Sequence, residues 1–231
     1  MRPPRDRVSP GQAAQAGTDQ GHRRSLDLRG AYPGGVFVKI CGLRTEADVD
    51  CAVTAGADAV GFVLTPSPRQ VTVEEATRLV AAVPPEVLSV GVFLGMPVAD
   101  VRDIAVKTGL GAVQLHGDGY TAGDFAELAG LGVRLVRATS TAGERVEVGA
   151  FGEEMLILDS PRAGSGEQWG WSALRGQTGR WLLAGGLRPG NVAEAIGTVR
   201  PWGVDVSSGV ESTRGTKDHG LIREFLAAAR P

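Results

Sequence analysis

Two turns of small residues near the C-terminus suggest the first chemistry in this sequence. Each turn follows a short apolar run: Gly185 and Gly186 follow one run, and Ser207, Ser208 and Gly209 follow the next. Glycine and serine leave the backbone N–H groups of a turn uncovered, and uncovered N–H groups bind phosphate. Because the two turns end consecutive runs, we expect them to hold one phosphate between them.

Two further residues end apolar runs and are able to move protons. Cys41 follows Val38–Ile40, and Asp159 follows Met155–Leu158. The turn after Cys41 and the neighbouring Lys39 could favour a thiolate base, although a lone cysteine is more often a small buried hydrophobic residue. Asp159 is either a turn or N-cap residue or an acid with a raised pKa. A thiolate and a carboxylic acid could act as base and acid on one bound sugar.

The elements that must position these residues repeat along the chain. From Val36 onward, a short β-branched apolar run is followed by a turn and then by a stretch of helical periodicity. Such runs recur about every 20–30 residues, as successive βα units do. The eight predicted strands are Val36–Cys41, Ala59–Leu64, Leu88–Leu94, Ala112–His116, Val133–Ala138, Met155–Asp159, Arg180–Ala184 and Gly203–Ser207.

Helical periodicity between the runs completes the units, and it is least distinct after the fifth and sixth strands. The predicted helices are Glu46–Ala55, Val73–Val83, Val98–Thr108, Ala122–Ala129, Asn191–Val199 and His219–Ala229. Continuous apolar strands predict a parallel sheet covered by helices, and eight such units close into a barrel. We therefore predict an α/β fold, a single (β/α)₈ TIM barrel over residues 36–231, with its site at the carboxyl ends of the strands.

Strand parity predicts which polar residues point into the barrel. Side chains alternate between the two faces of a strand, so Lys39 points inward from the first strand and Asp205 from the eighth. These two strands are neighbours in a closed barrel, so Lys39 and Asp205 could pair. Gln114 and His116 face inward on the fourth strand, as does Asp159 on the sixth.

Composition excludes several classes of protein. The chain has 231 residues, is 42% hydrophobic and carries a formal charge of −2, which suits one soluble domain. The balanced charge disfavours a nucleic-acid binder, and no apolar run reaches the roughly 20 residues of a membrane helix. Cys41 and Cys51 lack the spacing of a disulfide framework or a metal site, so we expect a reducing, cytoplasmic setting.

Residues 1–35 differ from the rest of the chain. They are rich in Arg, Gln, Gly and Pro and lack the apolar core of a secretory signal. Asp6, Asp19 and Asp27 interrupt the segment, which disfavours an acid-poor transit peptide. We predict a flexible N-terminal extension.

Taken together, the motifs resemble one enzyme family, the phosphoribosylanthranilate isomerases of tryptophan biosynthesis. Each motif alone is weak, but they follow in the family's order over about residues 36–229. The matching segments are Lys39–Leu43, Gly56–Phe62, Ser67–Arg69, Val90–Phe93, Val113–Gly117, Leu158–Ser160, Gly185–Leu187, Val204–Glu211 and Lys217–Asp218.

The resemblance implies an Amadori rearrangement of a phosphoribosyl anthranilate, without cofactor or metal. It implies that Asp159 is the general acid, that Cys41 is the general base and that Arg69 holds the substrate carboxylate, which suits a guanidinium fork. The other reading of Arg69 is a solvated loop charge, although Pro68 stiffens its loop. His116 matches a motif position, but an inward histidine at a strand end is as readily part of a hydrogen-bonded core.

The implied phosphosugar site contains further residues from the last two strands. The resemblance places Gly185, Gly186, Ser207, Ser208 and Gly209 at the phosphate. It also includes Asp205 among the substrate-binding residues. The small-molecule phosphosugar is the expected partner, and the chain is expected to be a monomer or a homodimer.

The chain departs from the family pattern in two loops. After Asp159 it reads Ala163–Trp171, with Glu167 in place of the usual Lys and Trp-Gly-Trp in place of Phe-Asp-Trp. The segment Ser212–Gly215 lacks a Pro that often precedes the Gly. Neither change touches the predicted acid, base or carboxylate clamp, but both bear on loop closure, substrate affinity and turnover.

Three alternatives remain open. An aminoaldose isomerase of histidine biosynthesis, or an enzyme acting on both substrates, would use paired aspartates, one of them where Cys41 stands. A ribulose-phosphate epimerase would need metal ligands at several strand ends. A phosphate-binding barrel without catalysis is the third alternative, and the altered loop after Asp159 is its only support.

Overall fold

Eight parallel strands form a closed barrel at the centre of the computed structural model of the chain. The structure describes residues 35–140, 146–160 and 170–230. The predicted N-terminal extension, apart from Gly35, lies outside these ranges, and so does most of the altered loop after Asp159. Each strand pairs with the next and the last pairs with the first, so the sheet has no open edge.

The barrel confirms the predicted fold class and all eight predicted strands. Their observed ends differ from the predicted ones by no more than two residues. The strands are β1 Phe37–Cys41, β2 Ala59–Val63, β3 Leu88–Leu94, β4 Ala112–His116, β5 Arg134–Ser140, β6 Met155–Asp159, β7 Trp181–Leu183 and β8 Gly203–Val206.

Helices cover the outside of the barrel in all six predicted places. They are α1 Glu46–Thr54, α2 Val73–Ala81, α3 Val98–Thr108, α4 Ala122–Leu128, α5 Val192–Val199 and α6 His219–Ala229. Between β5 and β6 the described residues form no α-helix, because Gly149 and Gly152 adopt φ values of 90° and 88° and turn the chain. Between β6 and β7 the only helix among the described residues is a short 3₁₀ helix, Trp171–Leu174.

Side-chain caps fix where several of these helices begin. The hydroxyl of Thr45 accepts a hydrogen bond from the Asp48 amide, and the Asp48 carboxylate accepts one from the Thr45 amide. Thr72 and Glu75 form the same reciprocal pair at the start of α2. The Asp218 carboxylate caps α6 through two backbone amides. These caps set the residues at which α1, α2 and α6 begin.

Two apolar clusters confirm the predicted strand parity. Alternate strand residues such as Val38 and Ile40 pack outward against the helices. The opposite faces of the strands fill the barrel interior, with Lys39 and Gln114 both buried there. The interior cluster consists of Phe37, Ala59, Leu88, Val90, Ala112, Val136, Ala138, Met155, Ile157, Leu182 and Ala184.

A buried ion pair joins the two strands that close the barrel. Lys39 lies opposite Asp205 in the β1–β8 register, and its Nζ donates to Asp205 Oδ1 at 2.9 Å. Burial acts to lower the pKa of Lys39, but the negative charge of Asp205 and the neighbouring Cys41 raise it overall. The predicted pairing is therefore confirmed, and Lys39 remains charged inside the barrel.

A short hairpin follows β8 and was not predicted from the sequence. Strands β9 (Glu211–Thr213) and β10 (Thr216–Lys217) pair antiparallel, with Lys217 opposite Glu211. Gly215 turns the hairpin at a φ of 87°, and a Cβ there would lie 2.5 Å from the carbonyl oxygen of Pro68. The hairpin therefore packs against the loop that carries Arg69.

Replacing Lys39 with methionine leaves the Asp205 carboxylate buried without its partner. We expect the free energy of unfolding at pH 7, measured by urea denaturation, to fall by about 3–5 kcal/mol. The double variant Lys39→Met/Asp205→Leu removes both charges and should recover most of that loss. An equal loss in the single and double variants would contradict this electrostatic account.

Candidate active site

The carboxyl ends of the strands bring most of the predicted site residues together. Cys41 ends β1, His116 ends β4 and Asp159 ends β6, while Arg69 lies in the loop after β2. All eight strands run in the same direction, so these side chains share one end of the barrel. The turns after β7 and β8 lie at the same end.

Cys41 is buried beside two cationic side chains. Burial raises the pKa of its thiol, while the positive charges of Lys39 and Lys217 act in the opposite direction. The prediction that this environment favours a thiolate is therefore wrong, because burial outweighs both lysines. A thiolate formed here is a stronger base than an ordinary cysteine thiolate, since its conjugate acid has a higher pKa.

Asp159 has the raised pKa that a general acid needs. Burial raises the pKa of its carboxyl group, and the charge of Asp205 adds to this effect. The Ser160 amide, which donates to Asp159 Oδ1 at 2.7 Å, and nearby His116 oppose it more weakly. A carboxyl group in such surroundings holds its proton to higher pH than a solvated one, so it can deliver that proton to a substrate.

Gly185 brings the turn after β7 into contact with this acid. Its φ is 82°, and a Cβ there would lie 2.7 Å from both Asp159 Oδ1 and the Ser160 amide nitrogen. Only glycine combines this backbone conformation with so close an approach. The turn after β7 and the Asp159 carboxyl group are therefore adjacent.

The turns after β7 and β8 contact each other through their backbones. A Cβ on Gly209 would lie 1.8 Å from the carbonyl oxygen of Leu187. The amides of Gly185 and Gly186 donate to no other described residue. Ser208 and Gly209 begin the 3₁₀ helix Ser208–Val210, where N–H groups have no partner within the helix. Adjacent turns with uncommitted N–H groups are what one phosphate needs.

Ser207 takes part in this site through hydrogen bonds within the protein. Its hydroxyl donates to the Cys41 carbonyl oxygen at 3.1 Å and accepts from Lys217 Nζ at 3.3 Å. The hydroxyl hydrogen is therefore already used, and the side chain ties the turn after β8 to β1.

Arg69 is held by a residue that sequence reasoning did not single out. Its Nε donates to Glu211 Oε1 at 2.6 Å and its Nη2 donates to Oε2 at 3.0 Å. Burial acts to raise the pKa of Glu211, but the hydrogen bonds from Arg69 and Lys217 outweigh burial and lower this pKa to about 2. Arg69 is thus an ordered, half-buried cation and not a solvated loop charge. The available signal was Glu211 itself, a carboxylate at the end of a matching motif.

His116 lies at the rim and lines an open cavity of about 400 Å³. Its ring makes no hydrogen bond to a described residue. The described residues therefore do not support the alternative interpretation of His116 as a hydrogen-bonded core residue. Leu94, Met96 and Tyr120 line the same cavity. The described residues contain no group of His, Cys, Asp or Glu side chains arranged to hold a metal, and none of their helices is long and apolar enough to cross a membrane.

Comparison with known proteins decides the family. Residues 38–228 match the family model of N-(5′-phosphoribosyl)anthranilate (PRA) isomerase. The chain belongs to this family. The PRA isomerase of Streptococcus pneumoniae (strain Hungary19A-6) is 44% identical over 191 residues, which are 82% of this chain and 93% of the relative.

Solved structures of PRA isomerases share the fold. TrpF from Jonesia denitrificans is 48% identical, with a TM-score of 0.77 over 84% of this chain and 97% of that one. A PRA isomerase in complex with reduced 1-(o-carboxyphenylamino)-1-deoxyribulose 5-phosphate is 36% identical, with a TM-score of 0.71 over 84% and 98% of the two chains.

Replacing Gly209 with alanine should disrupt the phosphate turns, because a Cβ 1.8 Å from the Leu187 oxygen must push them apart. We expect the affinity for inorganic phosphate, measured by titration calorimetry, to fall at least about tenfold, as for the loss of one charge-assisted hydrogen bond. The matched control is Gly197→Ala in α5, where a Cβ meets nothing within 4 Å. Unchanged phosphate affinity in Gly209→Ala would argue against this site.

Replacing Asp159 with asparagine should stabilise the protein at neutral pH while removing the acid. Because the folded-state pKa is raised above the ordinary 3.8, the ionised carboxylate destabilises the fold at higher pH. We expect a gain on the order of 1 kcal/mol at pH 7, shrinking as the pH falls towards 4, in urea denaturation across this range. Asp103→Asn on the exposed face of α3 is the control for the substitution itself and should change the free energy of unfolding little.

Proposed function

We propose that the chain converts N-(5′-phosphoribosyl)anthranilate to 1-(2-carboxyphenylamino)-1-deoxyribulose 5-phosphate, a step of tryptophan biosynthesis. The observation that carries the proposal is that one end of a PRA isomerase barrel holds both a buried thiol, at the end of β1, and a partly buried carboxyl of raised pKa, at the end of β6. An aldose-to-ketose rearrangement needs one group that gives a proton and one that removes a proton.

Asp159 opens the sugar ring in the first step. Its carboxyl proton passes to the furanose ring oxygen, and the bond between that oxygen and C1′ breaks. The nitrogen lone pair forms a double bond to C1′, which leaves an iminium ion and a free hydroxyl at C4′. The raised pKa of Asp159 keeps the proton available for this transfer.

Cys41 completes the rearrangement in the second step. Its thiolate removes the proton from C2′, which the adjacent iminium has made acidic. The electron pair of that bond forms a C1′–C2′ double bond and neutralises the nitrogen. The resulting enolamine gains a proton at C1′ and loses the proton of its 2′-hydroxyl, which yields the ketone.

The remaining predicted residues bind the two ends of the substrate. Arg69 binds the anthranilate carboxylate, since Glu211 orders its guanidinium and one edge of that group has no partner among the described residues. The turns Gly185–Gly186 and Ser207–Gly209 bind the phosphate through backbone N–H groups. Asp205, held by Lys39, and His116 complete the sugar site as predicted substrate contacts.

The alternatives make different predictions for the same residues. An isomerase of histidine biosynthesis uses a carboxylate where this chain has Cys41, so we expect no activity on that pathway's aminoaldose. A barrel that only binds phosphate has no need for the raised pKa of Asp159. A cytoplasmic location and a monomeric or homodimeric state stay predictions.

Growth of a tryptophan-requiring strain that lacks this isomerase tests the proposal. We expect the wild type to restore growth and Cys41→Ser and Asp159→Asn to fail, with purified kcat falling about 10²–10⁴-fold, as for the loss of a general acid or base. Cys51→Ser, the same change at the other cysteine, should restore growth. Rescue of a histidine-requiring strain would reveal a second substrate. Failure of the wild type with phosphate binding intact would favour the non-catalytic alternative.

A further inference from the structure

The carboxylate of Glu211 is a saturated hydrogen-bond acceptor. Arg69 donates to both of its oxygens, at 2.6 and 3.0 Å. Lys217 Nζ donates to Oε1 at 2.9 Å, and the Gly215 amide donates to Oε2 at 3.1 Å. A carboxylate accepts about four hydrogen bonds, so Glu211 has no capacity left for a substrate. It acts on the protein and not on the ligand.

Glu211 occupies one edge of the Arg69 guanidinium and leaves the other edge unused. The two bonds engage Nε and Nη2, the side edge of the planar group. Nη1 and the second hydrogen of Nη2 form the end edge, and Nη1 makes no hydrogen bond to a described residue. Such an edge matches the two oxygens of a carboxylate. Glu211 therefore fixes the plane in which Arg69 presents its remaining donors.

Lys217 connects this pair to the phosphate turn. Its side chain is 1% exposed, and Nζ donates to the Ser207 carbonyl oxygen at 2.8 Å and to the Ser207 hydroxyl at 3.3 Å. With Glu211 as the third acceptor, all three ammonium hydrogens are used. The Ser207 hydroxyl then donates to the Cys41 carbonyl oxygen. One series of contacts therefore runs from Arg69, through Glu211, Lys217 and Ser207, to the backbone carbonyl of Cys41.

Close packing also holds the two ends of this series of contacts together. Gly42 follows Cys41 at a φ of 78°, and a Cβ there would lie 2.7 Å from Arg69 Cδ and 3.2 Å from the Ser207 hydroxyl oxygen. Arg69 and Lys217 together carry two positive charges, and Glu211 carries one negative charge. One positive charge is therefore left over, next to the place where an anionic substrate must bind.

We propose that Glu211 and Lys217 are positioning residues that hold the two anion-binding parts of the site in register. Glu211 orients Arg69 towards the substrate carboxylate, and Lys217 anchors Glu211 to the turn that binds the phosphate. The inference rests on the proposed function, in which Arg69 binds that carboxylate. It adds that carboxylate recognition depends on Glu211, which never touches the substrate.

Kinetics with two substrates test this inference. One is N-(5′-phosphoribosyl)anthranilate and the other is N-(5′-phosphoribosyl)aniline, which lacks the carboxylate; their ratio of kcat/KM is the carboxylate preference. We expect Glu211→Gln to lower this preference about 10- to 100-fold, as for a misplaced charge-assisted hydrogen bond, because kcat/KM falls far more for the anthranilate than for the aniline compound. Lys217→Met should raise KM for both compounds, because it releases the phosphate turn as well.

A double-mutant cycle separates positioning from a general structural effect. In an Arg69→Ala background, Glu211→Gln should cause no further loss of preference, because Glu211 acts through Arg69. The matched control is Glu74→Gln, which removes an exposed ion pair with Lys107 on the helical surface and should leave the preference unchanged. If Glu211→Gln does not fold, Glu211→Gln/Lys217→Met removes both buried charges together and takes its place.

The possible outcomes distinguish this inference from the proposed function. A wild type that isomerises neither compound overturns the proposed function and the inference with it. A preference that survives Arg69→Ala overturns the assignment of the carboxylate clamp. A preference that is lost in Arg69→Ala but kept in Glu211→Gln, or additive losses in the cycle, overturns the positioning role alone.

Discussion

The register between β8 and β1 is the constraint on which the rest of the site depends. It sets Asp205 opposite Lys39, and the ion pair between them lies in the barrel interior. A slip of β8 by one residue would turn Asp205 outward, away from Lys39, because strand side chains alternate between faces. The same closure brings the turn that contains Ser207 next to Cys41, so the proposed phosphate site and the proposed base are neighbours on the rim.

Burial shifts the pKa values of the proposed acid and base more strongly than any neighbouring charge does. It raises the pKa of both Cys41 and Asp159, although Lys39, Lys217 and His116 act against it. Burial therefore favours the protonated form of each group relative to a solvated one. A proton donor with a raised pKa suits ring opening, and a thiolate with a raised pKa suits removal of a proton from carbon.

Parts of this arrangement could be predicted because they depend on local periodicity. The eight strands, the inward direction of Lys39 and the clustering of Asp159 with the small-residue turns follow from a period of two and from parallel topology. The thiolate prediction for Cys41 failed because sequence reasoning counted the neighbouring charges but not the loss of water. The helix predicted to be indistinct after β5 is absent from the described residues, where two glycines turn the chain.

By itself, the sequence determined which residues end the strands and therefore which chemistry the barrel rim could perform, because strand ends and strand faces are local properties. Only the tertiary structure decided how these residues are held. Glu211 and Arg69 are 142 positions apart, and no local pattern joins them. The hairpin after β8 brings them together, and Lys217 then links both to the phosphate turn. Partners so distant in sequence become neighbours only when the barrel closes, which is why the two small-residue turns alone could indicate a phosphate but not the carboxylate at the other end of the ligand.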